Sequence, residues 1–365
     1  MKKIIDIINQ AIKGEGVECL PCERVNLDKQ RFSEYIDSEE HKAGDIFESD
    51  QPNSKVLNIP RIDDKISSIL RFFLDGSRRT YKIADLLVKG RYLPIIAGQV
   101  GVAVTRRCDD TNKLIPLREF CSHKKVIAFP DQLTTPEDIE NLKHKIEDQI
   151  PVCIKLLRYT VKKDRDPVDL GIAKIMSYMV DLELNAVHEL SDKHLLRSNS
   201  ILVKDGPLRY KNVRGRGFDI TQFRNVIGIS KTFRPSFTVG SGRAKKDVGV
   251  LAASLDFGKR TPVFKTSEED KSIGMWYLRI RPKKDMIYPL QGVVKIECYA
   301  VNNEEEENGL DSQRVNTLSA HVLRERNVTP YGSDVRWATH IYPIYQTETF
   351  IKANMLSDIR FKLMF

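Results

Sequence analysis

No stretch of the 365-residue chain approaches the roughly 18 consecutive apolar residues that a membrane-spanning helix needs. The amino terminus, Met1-Lys2-Lys3-Ile4-Ile5-Asp6, starts basic but takes on acidic and polar residues within its first ten positions. It is expected to be an amphipathic helix and not a secretory signal. Together these features predict a cytoplasmic protein with no membrane partner. Cysteine is sparse, with six irregularly placed residues. Cys19-Leu20-Pro21-Cys22 is a CxxC, yet no second one follows, and Cys121 and His123 stand apart from it. Zinc prefers four ligands, so reduced, partly buried thiols are the expectation. Neither GxxxxGKS/T nor GxGxxG occurs, which removes both familiar phosphate loops and leaves any energy requirement to a partner.

What is present suits a globular protein. Hydrophobic residues make up 41% and charged residues 30%, so the chain is not of the disordered class. Its length suits one large domain with an appendage, or two domains. The net charge is +9, with a pI near 9.1, which favours an anionic partner, nucleic acid being the commonest.

Residues 1–65 read as a helical or irregular appendage. Ile4, Ile5, Ile8 and Ile12 recur at helical spacing, an acidic and polar tract runs from Asp37 to Asp45, and Pro52, Asn53 and Pro60 punctuate the approach to the body. With few large apolar side chains, this part has to pack on the body or on a partner. From residue 66 onward the pattern turns to strands at Ile69–Leu74, Tyr92–Val104 and Val126–Phe129, then a helix opened by Thr134-Thr135-Pro136-Glu137. A second helical stretch, 168–196, leads into the strand that ends at Asp205. Further strands are expected at Val226–Ser230, Met275–Ile280 and Val293–Tyr299, then a solvated acidic loop at Glu304–Gly309 and a helix near 310–325. This order predicts a mixed α/β domain over 66–365.

The chemistry centres on Arg71-Phe72-Phe73-Leu74-Asp75-Gly76-Ser77-Arg78-Arg79. An apolar run drives into Asp75, and Gly76-Ser77 is expected to end the strand. Burying such a carboxylate without a partner costs several kcal/mol, roughly, so an acid there implies a cation or a reaction. The pattern returns at Ile201-Leu202-Val203-Lys204-Asp205-Gly206. Asp-Gly is also ordinary turn chemistry. Two such strands, however, can set two carboxylates side by side at one sheet edge, as a divalent metal requires.

Glu183 supplies a third acid. At about 100° per residue it shares a helix face with Met176, Met179, Ala186 and Leu190. Ligands of oxygen alone suit Mg²⁺ or Mn²⁺, and two such ions about 4 Å apart activate water and stabilise a leaving oxygen in phosphodiester hydrolysis. Lys231, after Ile227-Gly228-Ile229-Ser230, is a candidate to hold the phosphate. Arg78-Arg79, Arg106-Arg107, Arg214-Gly215-Arg216-Gly217 and Arg243-Ala244-Lys245-Lys246 are candidates to track a nucleic-acid backbone.

Taken in order, Leu74-Asp75-Gly76-Ser77, Glu183, Val203-Lys204-Asp205-Gly206-Pro207-Leu208, Ile229-Ser230-Lys231 and Ile341-Tyr342-Pro343-Ile344 resemble the NurA family of nucleases, over roughly 70–355. The resemblance implies an RNase H-like mixed sheet flanked by helices, and a Mn²⁺- or Mg²⁺-dependent DNase acting on single strands or ends. It implies a homodimer working with a HerA-like hexameric ATPase in end processing or anti-phage defence, with residues 1–65 available to that partner. Asp75, Glu183 and Asp205 would bind metal and Lys231 would steady the phosphate. The chain departs from the family in one respect. A histidine often follows the Tyr-Pro element, whereas Glu348, Thr349 and Phe350 stand here and His340 precedes it. The alternative is a non-catalytic module of the same fold that grips DNA or serves as scaffold in a translocase complex.

Overall fold

The computed structural model describes residues 3–12, 17–28, 43–50, 56–63, 65–88, 90–131, 135–208, 220–233, 235, 238–239, 246–268, 271–326 and 335–365. The strands, in chain order, are β1 (Val17–Pro21), β2 (Ala43–Ile46), β3 (Leu57–Asn58), β4 (Leu70–Val88), β5 (Arg91–Arg107), β6 (Leu114–Pro116), β7 (Ser122–Pro130) and β8 (Ile154–Tyr159). Then follow β9 (Ile201–Asp205), β10 (Val226–Ser230), β11 (Thr238–Val239), β12 (Lys246–Asp247), β13 (Lys259–Arg260), β14 (Phe264–Glu268), β15 (Lys271–Arg279) and β16 (Val293–Tyr299). The α-helices are α1 (Ile4–Ile12), α2 (Pro136–Gln149), α3 (Pro167–Asp192), α4 (Val248–Ser254), α5 (Asn303–Asn308), α6 (Ser312–Arg324), α7 (Tyr342–Ala353) and α8 (Asp358–Lys362).

One mixed sheet organises the chain, in the order β2-β14-β15-β16-β10-β9-β4-β5-β7-β8. The β10–β9, β9–β4 and β7–β8 pairs are parallel and the other neighbours along this path antiparallel. The predicted mixed α/β architecture is therefore present. Alternation along β4 and β5 divides the core. Phe72, Leu74 and Val102 pack with Leu184 and Val187 of α3 on one face. Phe73, Val203 and Ile229 pack with Val315 of α6 and Ile344 of α7 on the other. Further along that second face, Ile83, Ile95 and Phe129 meet α1, α2 and Phe361 of α8.

Local chemistry explains the helix starts. Thr135 caps α2 in a capping box with Asp138, and Pro136 occupies its first turn. Asp166 caps α3 by accepting from Val168 N, and Pro167 follows it.

Three expectations need correction. Gly76 and Ser77 do not end the first strand, because β4 runs on to Val88 and pairs with β5 from Phe72↔Arg106 to Val88↔Arg91. The neighbour's continuous ladder outweighs the local Asp-Gly turn signal. Glu304–Gly309 is not a solvated loop, for 303–308 form α5. In it Glu305 is buried, accepts from Val301 N at 2.9 Å and Asp311 N at 3.1 Å, and meets Arg314. The segment 1–65 is more than helical or irregular: its described parts also hold β1, paired with β4, β2, paired with β14, and β3, paired with β13. Most of the acidic tract at 37–45, and Pro52 and Asn53, lie outside the described residues.

Glu48, just beyond β2, ties this segment to the body. Its carboxylate accepts from Arg260 at 2.5 and 3.0 Å, from Val263 N at 2.9 Å and from Ser312 Oγ at 2.7 Å, all buried. Removing one member of a buried pair leaves the other charge uncompensated. Glu48→Ala is therefore expected to lower unfolding free energy by about 3–5 kcal/mol in urea titrations. A loss below about 1 kcal/mol, the level of an exposed pair, would rule out this anchoring role.

Candidate functional site

Strand β9 runs parallel to β4 with Leu74 opposite Lys204, and Asp205 faces Ile229 of β10. Asp75 and Asp205 therefore lie side by side, as the paired Asp-Gly segments predict. β9 ends there, with Gly206 at φ +86°, a conformation glycine adopts without strain. Farther along, the same edge of β4 is taken by β1, from Ala84 to Val88. Among the described residues no strand covers it from Asp75 to Arg79. The sheet thus has a gap beside a buried acid.

Glu183 reaches this gap from α3. It is buried on the stripe with Ile172, Ile175, Ala186 and Leu190, while Met176 stands exposed at the stripe's margin. The glycine after Asp75 makes room for it: a Cβ at Gly76 would lie 2.2 Å from Glu183 Oε1 and 3.1 Å from Met179 Cγ. Gly76 is therefore required for space.

The alternation that turns Gly76 toward α3 turns Asp75 toward α7. The acids consequently divide into two groups that meet at the sheet edge. On the α3 side, Lys204 Nζ lies 2.8 Å from Glu183 Oε2 and donates to the Asp205 carbonyl at 3.0 Å. On the α7 side, Lys231 Nζ lies 3.0 Å from Asp205 Oδ2. Asp75 Oδ2 is buried and has no hydrogen-bond partner among the described residues.

Charge and burial shift all four interior groups. Burial, with the neighbouring Asp205, raises the Asp75 carboxyl well above the ordinary range, against the pull of Lys231. Burial also raises Glu183, with Lys204 opposing. For Lys204 and Lys231 burial acts downward but is outweighed by the surrounding acids, so both ammonium groups are raised.

Sequence reasoning missed two members. Lys204 had one signal, a charged residue inside an apolar strand. Glu348 had none beyond standing near the place of an expected histidine. It lies on α7, which docks on the sheet through Thr347–Thr105 at 2.7 Å and Ile351 over Gly101. Its charge acts on both Asp75 and Lys231. Glu348 also pairs with Lys352 at 2.7 Å. The Tyr-Pro element starts α7 with Pro343 in its first turn. Tyr342 stays exposed there, and His340 is buried and stacked on Tyr345 at 5.9 Å.

Among the described residues, three of the four arginines proposed to track a backbone already have acidic partners from distant parts of the chain. Arg78 is engaged by Asp28, Arg79 meets Asp358 at 3.5 Å, and Arg107 pairs with Glu325 at 2.6 Å in the interior. Arg106 is half-exposed. Arg214–Gly217 and 243–245 lie outside the described residues. Of the CxxC, Cys19 is buried and its thiol is pushed up to about 11 by burial, and both cysteines are free.

The donor types fit a hard, oxygen-seeking cation: three carboxylates, one with an orphaned buried oxygen, against two ammonium groups. A cation there would have to displace the lysine contacts of Glu183 and Asp205. Among the described residues no three His, Cys, Asp or Glu side chains stand together as a metal-holding group. Glu183 and Asp205 are instead held by lysines on opposite faces. No protein-family model matches the chain, and no curated protein matches it.

Two outcomes follow from this geometry. Gly76→Ala is expected to cost about 1–3 kcal/mol, the usual cost of overpacking. That cost should shrink by at least about 0.5 kcal/mol in a Glu183→Ala background, as a double-mutant cycle measures coupling. Strict additivity would remove the close approach from the account. Second, an acid raised in the folded state binds more protons folded than unfolded, so its burial costs stability as pH rises from about 4 through the raised value. Asp75→Asn should therefore raise the melting temperature in EDTA at pH 8, with the gain vanishing toward pH 4. A gain independent of pH, or none, would contradict the assignment.

Proposed function

We propose that the chain is a metal-dependent deoxyribonuclease, and that the gap beside β4 is where a DNA strand is cut. The observation that carries this reading is Asp75: a buried carboxylate with an oxygen that has no hydrogen-bond partner among the described residues, beside Asp205 and close to Glu183. An acid on a long central strand, a second on a crossing helix and a third at the end of a parallel neighbour are also the order that the NurA resemblance implies for an RNase H-like fold. In this reading Asp75, Glu183 and Asp205 would hold Mn²⁺ or Mg²⁺, which supplies Lewis-acid activation of water and stabilisation of the leaving oxygen when bound. Lys204 holds Glu183 in place and opposes the upward push that burial gives its carboxyl. Lys231, at the rim of the gap, exchanges its contact with Asp205 for an incoming phosphate. Homodimerisation, the HerA-like ATPase and a place in end processing or phage defence rest on the resemblance alone.

A second reading has its own support. Lysines already neutralise two of the acids, so the cluster could be a structural charge network in a module that grips DNA without cutting it.

Cleavage of labelled single- and double-stranded DNA separates the two, with Mn²⁺, Mg²⁺ or EDTA, alone and with a HerA-type ATPase. The nuclease reading expects metal-dependent cutting that falls at least about a hundredfold in Asp75→Ala, beyond what loss of an outer-shell partner costs. Binding without cutting under every condition would leave the gripping module.

A further inference from the structure

At the opposite end of β4 and β9 lies a cleft of about 430 Å³, lined among others by Arg71, Phe72, Arg106, Asp109, His194 and Arg197. Three chain segments meet there. Arg71 is the second residue of β4, and Arg106 faces Phe72 from β5. His194 and Arg197 belong to the turn between α3 and β9, where His194 takes a φ of 53°. Among the described lining residues three guanidinium groups face a single carboxylate, an excess of two positive charges before His194 is counted. Arg71 and Asp75 are four residues apart on one strand, about 13 Å, which separates the cleft from the acid cluster.

The contacts already made show what is missing. Asp109, exposed on the turn after β5, touches Arg71 and lies 3.7 Å from Arg106. Arg197, also exposed, uses only its Nε, donated to the His194 carbonyl at 3.3 Å, among the described contacts. Burial and the neighbouring Arg106 and Arg107 lower the Arg71 pKa, in keeping with crowded like charges. Guanidinium forks bind tetrahedral oxyanions through paired N–H donors. We infer that this cleft binds a phosphate group, with Arg71, Arg106 and Arg197 as its donors and Asp109 as an internal anion that competes for them. The phosphate can belong to the end of a nucleic-acid strand or to a free phosphate or mononucleotide. The inference does not depend on the acid cluster being catalytic.

The test is binding in EDTA, so that nuclease activity plays no part. Inorganic phosphate is titrated calorimetrically, and one short oligonucleotide is compared with and without a 5′-phosphate by fluorescence anisotropy. Arg106→Ala/Arg197→Ala removes two exposed side chains, and an unchanged melting temperature confirms its fold. The expected result is phosphate affinity at least about tenfold weaker in this double variant and several-fold tighter in Asp109→Asn. A 5′-phosphate preference of about tenfold that disappears in the double variant assigns the site to strand ends. Binding of inorganic phosphate without that preference assigns it to free phosphate or mononucleotide. Phosphate affinity equal in wild type and double variant, or no gain in Asp109→Asn, would overturn the inference.

Discussion

A carboxylate set into the middle of a strand that helices cover on both faces has to be compensated, and much of the local architecture follows from how this is done. Asp75 sits six residues into β4, with α3 on one side and α7 on the other. Asp75 is almost wholly buried, and the nearest compensating charges come from the chain. Lys204 and Lys231 provide them from the ends of β9 and β10, each already next to an acid. Both lysines keep their charge because the acids outweigh the cost of burial. The acids outnumber these two lysines, and the mismatch falls on Asp75: its Oδ2 has no hydrogen-bond partner among the described residues and its carboxyl is raised well above the ordinary range.

That arrangement places strict demands on neighbours without charge. Gly76 lets the Glu183 carboxylate lie against the strand, and Gly206 turns the chain away as β9 ends. The interruption of pairing on β4 between β9 and β1 opens the sheet beside Asp75. A longer β9 would pair with this edge and close the gap. The same logic of paired burial recurs at Glu48, where a carboxylate is held by Arg260, a backbone N–H and a hydroxyl. There every donor is matched, and the result is an anchor.

Arginine shows the complementary case. Arg107 is consumed in the interior by Glu325, whereas Arg106, its neighbour on β5, lines a cleft where, among the described residues, one exposed acid answers three guanidinium groups. Adjacent residues on one strand thus serve the core and a surface site, because alternation sends them to opposite faces.

The sequence by itself determined the order of the elements and much of their extent. The apolar runs of β10 and β16 and the Thr135 cap of α2 carry their own local signals. So does the burial of Glu183, whose position on an apolar helical stripe is a matter of 3.6-residue periodicity. The adjacency of Asp75 and Asp205 was legible as an option, two apolar runs that each enter Asp-Gly, and the parallel register of β4 and β9 realised it. Tertiary structure alone decided the rest. It carried β4 through its own turn signal, since a ladder with β5 outweighs the local preference of Asp-Gly. It turned the predicted phosphate-tracking arginines Arg78 and Arg107 into internal ion pairs, because their partners, Asp28 and Glu325, come from distant segments. It brought Glu348 to the site through the docking of α7, and it sent Glu183 and Asp205 to lysines on different faces. Strand alternation and helix docking fix those relations in space, and no spacing along the chain encodes them.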